Sequence, residues 1–414
     1  MKTQSRSGPG AVCSENDTPH IRQPVAASPS EGEFGPGQDR AMLEWARLRP
    51  DDGFVIGLVL RLRSTCPARE RVATVIASRL HRVPVLAEQL AGPPRRECWQ
   101  AADTFDAADH VHILEGVTDP HDFAELMANQ PIPEGRPRWD VWLGETGRQD
   151  EYLLAYRVHH AAQDGAAVTH TLKQLLDTPA PATSAASTSQ IPAQGSSPAC
   201  TASRPGPRLL ASAHVPVDAM RAISRASGAS LHDVYLAGLA SALRAWLPAT
   251  EREASVPVRV PFNVRLRGER QDRGNRVGYT RVFLPLDESD AACRLASIVA
   301  QTSVWPRERN RRLLDRMHPD MMWKYALTSV TPGDALASAT MLGIHTPLGL
   351  DGAPVIHGTA LPPLAAGHLF STVLFLHAER ASLSIAARSE HQHFRDLPPL
   401  WTRSLTDLAA AVRA

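Results

Sequence analysis

Apolar residues along the chain fall into runs with two different periods, and those runs predict most of its elements. FVIGLVLRL, from Phe54 to Leu62, is dense in β-branched and apolar residues and predicts a buried strand. ERVATVIASRL follows with Val72, Val75, Ile76 and Leu80 on one helical face. WDVWLGE and YLLAYRV, separated by the turn residues TGRQD, predict a hairpin, and TLKQLL the body of a helix.

The second half repeats the mixture. A helix is predicted from about Val217 to Ala226 with a stop at Gly228, then a longer one from Leu231 to Leu247. Ser230 and Asp233 supply a capping pattern for the longer helix, and Leu231, Val234, Tyr235, Leu239, Leu243 and Trp246 form its buried stripe. Strands are predicted at VPVRVPFNVRL and YTRVFLPL, and a hairpin at LFSTVLFL and SLSIAAR around HAER. Strands mixed with helices in both halves indicate an α/β or mixed α+β architecture.

Two stretches lack any period. Residues 1–37 have few apolar anchors and are expected to be a disordered N-terminal segment. Residues 178–208, rich in Pro, Ser and Ala, have the composition of a crossover linker. They leave two candidate domains, 38–177 and 209–414.

Composition narrows the function without naming it. A chain of 414 residues with 43% hydrophobic and 21% charged residues is that of an ordinary globular protein, long enough for two domains. A net charge of +1 gives no electrostatic reason to expect nucleic acid. No stretch of about 18 apolar residues and no signal-peptide core is present, so a cytoplasmic location without membrane association is expected. Cys13, Cys66, Cys98, Cys200 and Cys293 are scattered, odd in number and without metal spacing, and are expected to be free thiols.

The chemistry concentrates in YLLAYRVHHAAQDGAAV, from Tyr152 to Val168. On an extended strand, successive side chains alternate sides, so His159 and His160 cannot act as twins. Facing apart, they are poor metal co-ligands, and no metal site is expected. They can be structural histidines ending a strand, or one can reach a cleft as a general base, since neutral imidazole accepts a proton near neutral pH. Gly165 lets the backbone turn tightly or a substrate come close.

The run His159-His160-Ala161-Ala162-Gln163-Asp164-Gly165 resembles the HHxxxDG motif of acyltransferases related to chloramphenicol acetyltransferase and of peptide-synthetase condensation domains. PVLAEQL, FDAADHV, GRPRWDVWL, LHDVYLAGLASALRAWL and GNRVGYTRVFLP follow the order and spacing of the bacterial wax ester synthase/diacylglycerol acyltransferases, over residues 38 to 414. The resemblance implies two chloramphenicol acetyltransferase-like domains forming a pseudo-dimer, with an active-site tunnel at their interface. It implies an acyltransferase in which His160 removes the proton of an acceptor hydroxyl attacking a thioester. His159 and Asp164 would complete the catalytic motif, with Gly165 beside the substrate. Asp164 would pair with an arginine to fix the loop, and Arg265 is the matching candidate. No cofactor is implied beyond the co-substrate, acyl-CoA or an acyl-carrier protein, and the acceptor is a small alcohol or amine. An amide-forming condensation enzyme with a carrier-protein donor and an inactive binding homologue are the alternatives.

The sequence departs from the family at Pro137-Arg138-Trp139, where Pro-Leu-Trp is usual, at His232-Asp233, where Asn-Asp is usual, and at Thr340–Ile344, which keeps only the glycine of Asn-Val-Pro-Gly-Pro. These changes leave the base intact and argue against long-chain lipid substrates; with 5% aromatic residues and no obvious basic amphipathic helix for droplet docking, acylation in specialised metabolism is expected at least as much as lipid storage.

Overall fold

In the computed structural model, the described residues are 37–49, 54–93, 97–178, 207–252, 254–316, 335–365 and 367–413. The expected disordered segment 1–37 and linker 178–208 lie outside them, apart from their edge residues. Gly37 already opens a helix, and Arg208 opens a strand. Cys66, Cys98 and Cys293 are free thiols, whereas Cys13 and Cys200 lie outside the described residues.

Two six-stranded mixed sheets form the frame. The first contains β1 (Val55–Leu62), β4 (Val111–Leu114), β5 (Trp139–Glu145), β6 (Tyr152–His159), β11 (Gly349–Leu350) and β12 (Ala353–Leu361), in the order β11-β12-β1-β6-β5-β4. β2 (Glu88–Ala91) and β3 (Cys98–Ala101) form a separate hairpin. The second sheet runs β7-β14-β13-β10-β8-β9. Its strands are β7 (Arg208–Pro216), β8 (Val256–Asn263), β9 (Val277–Leu284), β10 (Ala337–Ile344), β13 (Phe370–His377) and β14 (Arg380–Arg388).

β1 and β6 are apolar nearly throughout because both faces of the first sheet are covered. Ile56, Leu58 and Leu60 pack with Leu154 and Tyr156 on one side, under α2 (Arg69–Arg79) and α4 (Gly165–Leu175). Val59, Leu153 and Ala155 face the other way, onto Phe123 and Met127 of α3 (Pro120–Asn129). That same cluster takes in Leu210 of β7 and Ala386 of β14, so α3 ties the two sheets together.

The second sheet is backed by α5 (Val217–Ser227), α6 (Leu231–Trp246), α7 (Ala291–Thr302) and α9 (Leu397–Ala411), with α8 (Arg307–Arg316) beside β9. Gly228, at φ 73°, closes α5 in the left-handed conformation that suits glycine. The Ser230–Asp233 capping box opens α6. The burial of α6 is wider than the stripe expected from periodicity. His232, Leu236, Ala237, Gly238, Ala240 and Ala242 are buried as well, because α5, α7 and α9 surround it.

The two sheets do not divide simply at residues 178–208. β11 and β12, from the later part of the chain, join the first sheet, with Gly57 opposite Leu361 and Leu60 opposite Gly358. A split at 209 misses this exchange, since the sheet that β12 joins is set by its pairing and not by its own sequence.

Candidate active site

β6 ends at His159, and residues 160–164 turn toward the second sheet before α4 begins at Gly165. His159 keeps the strand's phase and is buried, its ring stacked on Phe54 at a centroid separation of 6.0 Å. Its Nδ1 accepts the N–H of Ala161 at 3.1 Å, so this histidine supports the turn from inside. Burial, reinforced by the charge of Arg138, pulls its imidazole down to about 3, and it stays neutral near pH 7.

His160 leaves the strand. Its backbone N–H donates to Phe54 O at 2.7 Å, and its carbonyl accepts Asn275 Nδ2 at 2.7 Å. The peptide is therefore held from both sides, by the strand-edge residue before β1 and by the segment before β9. The residue is half-buried, and its Nδ1 is enclosed and without a hydrogen-bond partner. Burial lowers the His160 imidazole below its ordinary value, with the charge of Asp164 opposing. Neutral imidazole is the form able to take a proton.

Asp164 does not face His160 as a triad partner. Its Oδ2 lies 2.6 Å from Arg265 Nη1 and also accepts the N–H of Arg276 at 3.0 Å. Its Oδ1 caps α4 by accepting the N–H of Ala167 at 2.9 Å. Arg265 in turn donates to the carbonyls of Arg273 (3.0 Å) and Gly274 (2.6 Å). The pair is almost fully buried, its side chains 1% and 3% exposed. Gly274 completes the clamp: its N–H donates to Ala162 O at 2.7 Å, and its carbonyl accepts the N–H of Asp164 at 3.3 Å.

Gly165, expected to allow a tight turn or the close approach of a substrate, has a packing reason of its own. Its φ lies outside the left-handed region, and a Cβ there would sit 2.9 Å from Leu342 Cδ2 of β10. The missing side chain lets β10 approach α4, which is a packing requirement.

Gln163 is a motif position with unassigned chemistry, yet it is fully buried and bonded to Tyr156 Oη at 2.8 Å and to Thr171 Oγ1 at 2.7 Å. Asn275 and Asp39 are further site residues that sequence reasoning missed. Asn275 lies inside the quoted GNRVGYTRVFLP, so its neighbourhood was visible although its role was not. Asp39 is on α1 (Gly37–Leu48), a helix that periodicity did not single out.

His232 and Asp233 are structural at the start of α6. His232 packs edge-on against Trp305 at 5.2 Å, and Asp233 accepts the hydroxyl of Thr302 at 2.5 Å. Cavities of about 720 Å³ between β9 and α8 and about 600 Å³ beside α3 are lined by other residues, not by His160. Among the described residues, no group of three His, Cys, Asp or Glu side chains could hold a metal ion, and no helix is long and apolar enough to cross a membrane.

Residues 48–295 match the family model of the wax ester synthase/diacylglycerol acyltransferase catalytic domain. The chain belongs to that family. A putative diacylglycerol O-acyltransferase of Mycobacterium tuberculosis H37Rv is 26% identical over 264 residues, 50% of this chain and 52% of the relative. A second from the same strain is 25% identical over 131 residues, 30% of this chain and 28% of the relative. The chain thus spans about a quarter to a half of the length of these curated relatives.

The fold extends further than the sequence likeness. The wax ester synthase/diacylglycerol acyltransferase from Marinobacter aquaeolei VT8 superposes with a TM-score of 0.62 at 16% identity, covering 92% of this chain and 100% of that one. The first condensation domain of the calcium-dependent antibiotic synthetase, in complex with a substrate analogue, gives 0.65 at 14% identity, covering 92% and 97%. The mixed α/β, two-lobed architecture is shared with both of these proteins.

Proposed function

We propose that the chain is an O-acyltransferase that moves an acyl group from a thioester donor, acyl-CoA or an acyl-carrier protein, to the hydroxyl of a small acceptor. The observation that carries this reading is His160: a half-buried histidine, its imidazole lowered by burial, on a peptide held between Phe54 and Asn275. The acceptor O–H proton passes to the imidazole as the oxygen attacks the thioester carbonyl. The tetrahedral adduct collapses with cleavage of the C–S bond, and the departing thiolate takes up the proton from the imidazolium. The reaction needs no enzyme-bound acyl intermediate, cofactor or metal. Donor and acceptor meet in a tunnel between the lobes, and their joint orientation supplies much of the acceleration.

Family membership and the names of the mycobacterial relatives support a hydroxyl acceptor. Arg138, where the family has Leu, favours a smaller or more polar substrate than a long-chain lipid. The enzyme works in the cytoplasm in this reading, in specialised metabolism. Its test is a panel of acyl-CoAs and acyl-carrier proteins offered with alcohols and amines, read by mass spectrometry and thiol release.

A second reading, amide formation from a carrier-protein donor, is favoured by the condensation-domain fold, whose TM-score of 0.65 matches the 0.62 of the wax ester synthase. A product formed only from amines and tethered donors would select it. Absence of turnover with every pair would leave an inactive binding homologue.

A further inference from the structure

Asp39 takes no part in the proton transfer above, yet it is buried, 1% exposed, at the back of the histidine turn. Its Oδ1 accepts two hydrogen bonds from Asn275, one from the backbone N–H at 2.6 Å and one from Nδ2 at 2.9 Å. The same Nδ2 donates to the His160 carbonyl at 2.7 Å. One side-chain amide thus joins the Asp39 carboxyl to the His160 peptide. α1 is registered on this segment by Gln38, which donates to Val277 O at 2.6 Å and accepts the N–H of Val277 at 3.1 Å.

The other carboxyl oxygen, Oδ2, is buried without a partner. Gly274, at φ 68°, lies against it, and a Cβ there would come within 2.9 Å of Oδ2. The backbone of the clamp is thus shaped around the carboxyl, with a glycine both for the left-handed conformation and for room. Burial pushes Asp39 up to about 7, opposed by the bonds from Asn275 and the charges of Arg276 and Arg273. An ionised carboxylate makes shorter and stronger bonds to N–H donors than a protonated carboxyl does. The hold on Asn275 therefore tightens as Asp39 loses its proton.

We propose that Asp39 is a positioning residue that orients Asn275 and, through it, fixes the His160 peptide and imidazole for proton removal. This rests on the reading of His160 as the general base. Removing the carboxyl leaves the Asn275 amide free to turn from the His160 carbonyl, whereas a neutral amide at position 39 keeps an acceptor oxygen in place.

The test compares Asp39→Ala, Asp39→Asn and a remote core variant, Ile223→Ala, in the full chain. Asp39→Ala should lower kcat about 10- to 100-fold with little change in KM, the signature of a misplaced reacting group. Asp39→Asn should recover most of that loss. The His160 imidazole, followed by NMR titration and assigned with His160→Gln, should move in Asp39→Ala and stay in place in Ile223→Ala. The proposal is overturned if Asp39→Ala loses no more kcat than Ile223→Ala at equal loss of melting temperature, or if the His160 titration is unchanged. Should no substrate pair turn over, the acyltransferase reading fails while the NMR comparison still decides the role of Asp39.

Discussion

Breaking the Asp164–Arg265 pair should be expensive in stability and strongly coupled. In Arg265→Gln, Asp164 keeps the N–H donors of Ala167 and Arg276 but loses its buried cation, and the carbonyls of Arg273 and Gly274 lose a charged donor. An uncompensated buried charge costs about 3–5 kcal/mol, and Asp164→Asn should lose a similar amount by stranding the guanidinium. The double variant carries neither charge, so its loss should fall short of the sum by about 1–3 kcal/mol. Urea unfolding of the four proteins, with the slope held common, measures each stability. Losses that add to within about 0.5 kcal/mol would refute the pairing as an energetic unit. His160 could then still be the base, but its loop would have another support.

Other consequences follow from the same geometry. The folded His159 imidazole, at about 3, lies below its unfolded value, so the unfolded chain binds the extra proton between those values. Its contribution is fully present above pH ~6.5 and is lost as pH falls toward about 3, on the order of 5 kcal/mol in all. Acid unfolding of His159→Gln should show a flatter slope in that window; an unchanged slope would contradict the assignment. If His160 is the base, kcat/KM should rise with pH through a midpoint below the ordinary histidine value and then level, and a midpoint above it would count against the burial argument. Gly57→Ala should disrupt the β1–β6 pairing, since its Cβ would collide with the backbone carbonyl of Tyr156. A normal far- and near-UV circular dichroism spectrum with unchanged melting would exclude that close approach.

The sequence made local order and the motif legible, and much less of what holds the motif. Runs such as FVIGLVLRL and YLLAYRV are read correctly because their apolar content is fixed by burial, and β1 and β6 occupy almost those residues. The Gly228 stop and the Ser230–Asp233 box are read because capping chemistry is local. Nothing local marks β12 as a member of the first sheet, because pairing across about 300 residues leaves no trace in either strand's period. Asp39 is invisible for the same reason: its meaning lies in a hydrogen bond to Asn275, 236 positions away. The glycine of the motif was legible as a residue, but its packing against Leu342 was not, because Leu342 comes from another sheet.

The most direct test of the central claim is acyl transfer by wild type and His160→Ala, with ester product and free thiol measured together. The wild-type protein should form ester and release thiol in equal amounts from at least one acyl thioester and alcohol. His160→Ala should lose about 100- to 10,000-fold in kcat while melting at nearly the wild-type temperature. A folded His160→Ala protein that retains near-normal turnover would contradict the account.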